Sequence, residues 1–184
     1  GTLEGGVREP TIVRWTGQIK AGSTCDAVTG TTDVLPTFVA LAGGKVNANI
    51  KIDGKDITQV LLGETTKSPH EAWHYFKGNR LEAIRSGPWK LALTPQILGM
   101  GIREKPQDLL VKGVRLYNLD KDIGETTDVA QEHPDVVARL QRMADEMRSD
   151  IGVVGAKSGV RPPGKVENPV TLYPTKPRAK KIRK

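Results

Sequence analysis

The chain has 184 residues, 37% hydrophobic and only 4% aromatic, with 20 Gly and 12 Pro, which leaves room for one domain with a small core and many turns. One cysteine, Cys25, excludes an internal disulfide framework, and no apolar run approaches membrane-spanning length. The net charge of +7 is uneven: residues 157–184 hold nine basic residues against the single acid Glu167, so the body is near neutral and the end is basic.

Taken in order, Glu4-Gly5-Gly6-Val7-Arg8-Glu9-Pro10 opens on two glycines that permit a sharp turn, and Pro10 suits a strand entrance. A strand is predicted over Thr11-Ile12-Val13-Arg14-Trp15. A short helix is predicted over Thr32–Gly43, capped by Thr31 or Thr32 and stopped by Gly43 or Gly44, with Val34, Leu35, Phe38 and Leu41 on one face. Asp33 reads as a first-turn acid facing the helix N-terminus rather than as a metal ligand. Asp53 and Asp56 lie in a segment too short to supply the oxygens calcium prefers, so they read as turn and cap residues.

From Glu71 the pattern changes to strands: residues 72–76, 81–85 and 89–93, joined by turns around Gly78 and at Ser86-Gly87-Pro88. Residues 94–112 read as a variable loop and 114–119 as a further strand. Pro134 opens a helix to about Ser149, with Val136, Val137, Leu140, Met143 and Met147 inward and Arg139, Arg142 and Glu146 outward. Beyond Gly152 the periodicity ends, and Arg161-Pro162-Pro163-Gly164 and Tyr173-Pro174-Thr175-Lys176-Pro177 favour an extended arm.

Four of these segments together resemble one family. Glu4-Gly5-Gly6-Val7-Arg8-x-Pro10, Thr32-Asp33-x-Leu35-Pro36-Thr37, Leu81-x-Ala83-Ile84-Arg85-x-Gly87-x-Trp89-Lys90-Leu91, and Leu116-Tyr117-Asn118-Leu119 with a downstream Asp122-x-Gly124-Glu125 are similar to ordered landmarks of the sulfatases, arylsulfatase-like and formylglycine-dependent. The resemblance implies an α/β, alkaline-phosphatase-like fold in part. Residues 1–66 would close the large α/β domain, 67–152 would form the small antiparallel sheet packed by a helix, and 153–184 a basic tail. It implies an intact enzyme that hydrolyses sulfate esters, with this C-terminal part forming a wall of the substrate cleft and inactive by itself. In that family the active-site lysine falls about where the residue before Gly1 would be, so the chain is expected to begin just past the catalytic machinery. The opening glycine fits a fragment, and equally a processed or engineered start.

Formylglycine nucleophile and calcium ligands precede the first landmark in family order, so no catalytic or metal residue is assigned here and calcium is expected on residues outside this chain. Cys25 lacks the nucleophile motif, and Ser86-Gly87-Pro88-Trp89-Lys90 carries lysine where arginine is required. Substrate-binding candidates are His74, Tyr75, Lys77 and Arg80, with Asn79 beside them, able to hold a sugar, aromatic or sulfate group by hydrogen bonds and charge. For His74 a packed histidine at the domain junction stands beside that reading. Several sulfatases place a histidine where this chain has Ala92, so a relative's substrate does not transfer. Arg8 is expected in a structural ion pair, with Asp33 as the candidate partner. The partner expected is a sulfated small molecule or glycan. The basic tail lacks the interleaved aromatics of a single-strand nucleic-acid binder, and a solvated terminus explains it most simply. Export, periplasmic or extracellular, or a lysosomal location follows by family analogy alone. The competing reading is a non-catalytic anion-binding module with a basic arm.

Overall fold

In the computed structural model, which describes residues 1–78, 80–94, 96 and 113–151, three short helices precede the sheet. They are α1 (Glu4–Val7), α2 (Val34–Leu41), led in by a 3-10 turn at Thr31–Asp33, and α3 (Thr58–Leu61). Four strands follow, β1 (Trp73–Lys77), β2 (Arg80–Ser86), β3 (Trp89–Ala92) and β4 (Arg115–Asn118), paired antiparallel in sequence order. Helix α4 (Pro134–Ile151) closes the described chain. Gly78 and Gly87 turn the two tight hairpins at φ of 60° and 58°, a left-handed conformation that glycine enters without a Cβ penalty. The loop expected over 94–112, apart from Thr94 and Gln96, and the arm over 153–184 lie outside the described residues.

Strand register separates the sheet into two chemically different faces. His74, Ile84, Leu91 and Leu116 are successive cross-strand partners, and their row faces α4. There Ile84, Leu91 and Leu116 join Leu81, Leu140 and Ala144 in the apolar core, each large side chain contributing about 1.5–3 kcal/mol of burial. The neighbouring row, Trp73, Arg85, Lys90 and Tyr117, points the other way, with Tyr75 alongside. An irregularity between Tyr75 and Phe76 leaves Glu82 without a β1 partner. Such a bulge lets two consecutive side chains take the same side. Leu81 and Ile84 thereby stay in the core, while Glu82 reaches the charged face and accepts from Thr2.

Three expectations differ from what is found. Thr11–Trp15 is not a strand, and the Glu-Gly-Gly segment forms the helical turn α1; an extended segment needs a paired neighbour, and none stands beside it among the described residues. In α2 the apolar side chains Val34, Leu35, Phe38 and Leu41 are exposed, Phe38 by 63%, while Pro36 and Thr37 are buried. The helix is held by its polar side: the Thr37 hydroxyl donates to the Asp33 carbonyl at 2.6 Å and accepts from the Ile57 amide at 3.1 Å. Arg139 was expected outward; it is half-buried and donates to the Ser86 hydroxyl at 3.0 Å, which explains why this strand-end serine is buried.

Candidate functional site

The charged face of the sheet is covered by the first eight residues and by the turn after β4. Lys90 is fully buried, and its Nζ donates to the Thr2 carbonyl at 2.7 Å and to Glu4 Oε1 at 2.9 Å, and contacts Glu125 Oε1 at 2.9 Å. The second oxygen of Glu125 accepts from the Glu4 backbone amide at 2.6 Å. Arg85 lies 3.4 Å from Glu4 Oε2, and Glu82, also fully buried, accepts from the Thr2 hydroxyl at 2.9 Å and from Arg80. Buried charges persist only when paired and hydrogen-bonded. Here three carboxylates, Glu4, Glu82 and Glu125, meet Lys90, Arg85 and Arg80, with Arg8 at the rim beside Glu4.

Glu125 adopts φ of 55°, a region costly for a residue with a Cβ. Its carboxylate engages both Lys90 and the Glu4 amide, which over-determines that conformation. Asp122 organises the same turn, accepting from the Thr126 and Thr127 amides at 2.8 Å each; these bonds, the Thr127 amide foremost, hold its carboxyl below the ordinary range. An open depression of about 500 Å³ lies over the cluster, lined by Leu3, Glu4, Arg8, Ile123 and Glu125 among others.

A second polar cluster centres on Asp33, whose carboxylate is fully buried. It accepts from the Gly30 amide, the Lys55 amide and His70 Nε2, each at 2.8 Å. His70 meets the Trp73 ring edge-on at 4.8 Å between centroids. Trp73 in turn packs on the bare Cα of Gly30, where a Cβ would come within 2.3 Å of the indole. The expected Arg8–Asp33 pair does not form, because Asp33 is enclosed with these donors. Arg8 lies instead 3.9 Å from Glu4 and 3.8 Å from Asp26. Asp56 forms a turn just ahead of α3, whose N-cap is Ile57, accepting from the Thr58 amide at 2.9 Å and the Thr58 hydroxyl at 2.6 Å.

The four candidate substrate residues occupy different surroundings. Lys77 and Arg80 are exposed at the β1–β2 turn, Arg80 also serving Glu82. Tyr75 is buried with Lys90 Nζ 4.6 Å from its ring centroid; burial first, and then the Glu4 carboxylate, push its phenol well above the ordinary range. His74 is half-buried on the α4 side, beside the Met143 carbonyl, with Nε2 lacking a hydrogen-bond partner among the described residues. Burial lowers its pKa, against the pull of the Met143 carbonyl and Asp53. The turn thus presents cations to solvent, while Tyr75 and His74 point to opposite faces of the sheet, so the four are not brought together at one point. Such groups can bind and orient an anion; they make no bond to it. Among the described residues no group of three or more His, Cys, Asp or Glu side chains could hold a metal ion.

Sequence reasoning singled out the segments carrying Glu4, Lys90 and Glu125 without seeing that they meet, and it missed His70. Arg85 and Lys90 alternate with apolar neighbours, the pattern of a strand with one solvated face. Nothing local says that residues 1–8 cover that face.

A family described as the C-terminal region of aryl-sulfatase matches residues 68–162. Arylsulfatase A of Homo sapiens is 32% identical over 160 residues, covering 77% of this chain and 31% of its own length. Arylsulfatase A of Bos taurus is 42% identical over 94 residues, covering 48% and 18% respectively, and the steryl-sulfatase of Rattus norvegicus is 38% identical over 87 residues, covering 47% and 15%. Among solved structures, the PsFucS1 sulfatase from Pseudoalteromonas sp. matches with a TM-score of 0.58 at 19% identity, over 72% of this chain and 28% of that one. BT4656, captured with its substrate D-glucosamine-2-N,6-O-disulfate, matches with a TM-score of 0.51 at 25% identity, over 74% of this chain and 27% of that one. The chain spans less than a third of the length of these relatives.

Proposed function

The chain belongs to the sulfatase family, as a C-terminal region with part of an alkaline-phosphatase-like α/β fold, and from that premise we propose that the intact protein hydrolyses sulfate esters. This part forms a wall of the substrate cleft and is inactive without the larger portion. The observation that carries the reading is convergence: Glu4, Lys90 and Glu125 come from three separated landmarks and meet in one buried cluster. Exposed apolar side chains at Ile12, Val13 and Trp15 and along α2 support it further, since a helix apolar on nearly all sides belongs in an interior. The domain division at residues 66 and 152 belongs to the same reading.

The substrate class is a sulfated small molecule or glycan; the glucosamine disulfate held by BT4656 supports a sugar. Lys77 and Arg80 are the outer cations that meet its anionic groups; Tyr75 and His74, on opposite faces of the sheet, do not meet it at the same point. In the intact enzyme formylglycine would supply the nucleophile and calcium the Lewis acid, both on residues outside this chain. Export or lysosomal targeting goes with this reading.

The test is to co-express the longer protein with a formylglycine-generating enzyme and assay sulfate release from an aryl sulfate and from sulfated sugars. Calcium-dependent release that disappears on truncation to these 184 residues is expected. A natural reading frame starting at or near Gly1, with polyanion binding that falls steeply with salt, would replace this reading by an anion-binding module, for which the nine basic residues of 157–184 speak.

A further inference from the structure

Among the described residues, the apolar core draws nothing from the first seventy residues. Its buried members are Leu81, Ile84, Leu91, Leu116, Leu140 and Ala144, and every partly buried apolar side chain packed on them lies at Ala72 or later. The smaller cluster of Ala92, Tyr117 and Leu119 also belongs to the sheet and the turn after it. What ties the earlier residues to the sheet unit is largely polar. Thr2 and Glu4 meet Glu82, Lys90 and Glu125 in one cluster. Asp33 meets His70 in the other, and Ser68 donates to the Val28 carbonyl at 2.5 Å. Lys51 and Asp150 add a surface pair at 2.6 Å, of the kind that contributes little.

We propose that residues 1–66 are clipped onto an independently cooperative unit, residues 67–151, by the Glu4–Lys90–Glu125 and Asp33–His70 clusters, and that they detach before the sheet unfolds. Four strands with one apolar face under a helix satisfy the requirement for a stable sheet by themselves. A clip of buried, hydrogen-bonded charges is made or broken as a whole, since a half-open cluster leaves desolvated charges unpaired. Once water enters, all of them regain hydration together. Opening the clip therefore costs less than global unfolding and exposes little of the α4 core. The seam between the two parts is polar, whether or not a sulfate ester is the substrate.

The experiment is hydrogen exchange with mass spectrometry on the full 184-residue chain across a urea series. Two tiers of opening are expected, with the amides of residues 2–8, 28–37 and 54–61 losing protection at lower urea than those of 81–92, 115–118 and 140–144. Asp33→Asn should speed exchange at 28–37 and 54–58 by at least about tenfold and leave the sheet unchanged. Leu140→Ala should do the reverse, accelerating the sheet and α4 while leaving the lower tier in place. A single opening shared by all segments, or variants that accelerate every segment equally, would overturn the proposal. So would an absence of protection in residues 1–66 without urea, because the clip would then not be formed.

Discussion

Replacing Lys90 by Met keeps the apolar stem and removes the charge around which the larger cluster is built. The lost ammonium leaves the Thr2 carbonyl, 2.7 Å away, without its donor, Glu125, at 2.9 Å, without its cation, and Glu4 with only the longer Arg85 and Arg8 contacts. Removing one partner of a buried pair costs about 3–5 kcal/mol. The orphaned carbonyl is part of the same event, so its penalty is not added separately. Against a total stability of about 5–15 kcal/mol for a domain, that is enough to undock the first eight residues. Exchange of the Glu4, Gly6 and Arg8 amides reads the effect directly, because these donate to Glu125 Oε2, the Leu3 carbonyl and the Glu4 carbonyl. At about 1.4 kcal/mol per tenfold, a loss of about 4 kcal/mol speeds their exchange by up to about a thousandfold. The combined variant Glu4→Met, Lys90→Met, Glu125→Gln keeps an acceptor for the Glu4 amide and removes Lys90 together with both of its carboxylates, leaving Arg85 with the Gly87 carbonyl as acceptor. It should recover at least half of the loss. Unchanged protection at these three amides in Lys90→Met would refute the assignment of the ammonium as the centre of the cluster.

Gly54→Ala should destabilise by about 1–3 kcal/mol in urea unfolding, because its Cβ would lie 2.0 Å from the Thr32 carbonyl oxygen, whereas Gly5→Ala, with nothing within 4 Å, should change little. Since burial lowers the pKa of His74 below its ordinary 6.5, the unfolded state binds the proton more readily. Its contribution is present above about pH 6.5 and is lost as pH falls through the folded-state value. Comparing denaturation midpoints at about pH 7.5 and 5.5, His74→Leu should flatten that part of the slope; an unaltered slope would mean that His74 does not titrate differently on unfolding. On the intact enzyme, Lys77→Ala with Arg80→Gln, which keeps an amide donor beside the buried Glu82, should raise KM for a sulfated glycan by about tenfold with kcat held, the signature of lost ground-state binding. An unchanged KM would remove these cations from the substrate site.

Much of the sheet was legible locally. Alternating residues from Ala72 to Leu93, glycines in the turns and an apolar stripe after Pro134 dictate three hairpin-linked strands and a covering helix, and they form within a residue or two of the expected bounds. Such patterns report each segment's own conformational preferences and one buried face. Family landmarks were legible for a related reason: short motifs keep their residue types together in the chain.

The buried second face was decided only in three dimensions. Lys90 and Arg85 alternate as solvated residues do, and Glu82 would fall on the core face by simple alternation; the bulge at Tyr75 and Phe76 and the return of Thr2–Glu4 turn all three into members of one network. Asp33 could be read as a helix-start acid, but not as the acceptor for His70. Thr11–Trp15 and the apolar side of α2 mark the opposite limit. Their residue types favour a paired strand and a buried face, yet burial requires a neighbouring surface, and among the described residues none covers them. Local preference can name a face for burial; the tertiary structure decides whether anything packs against it.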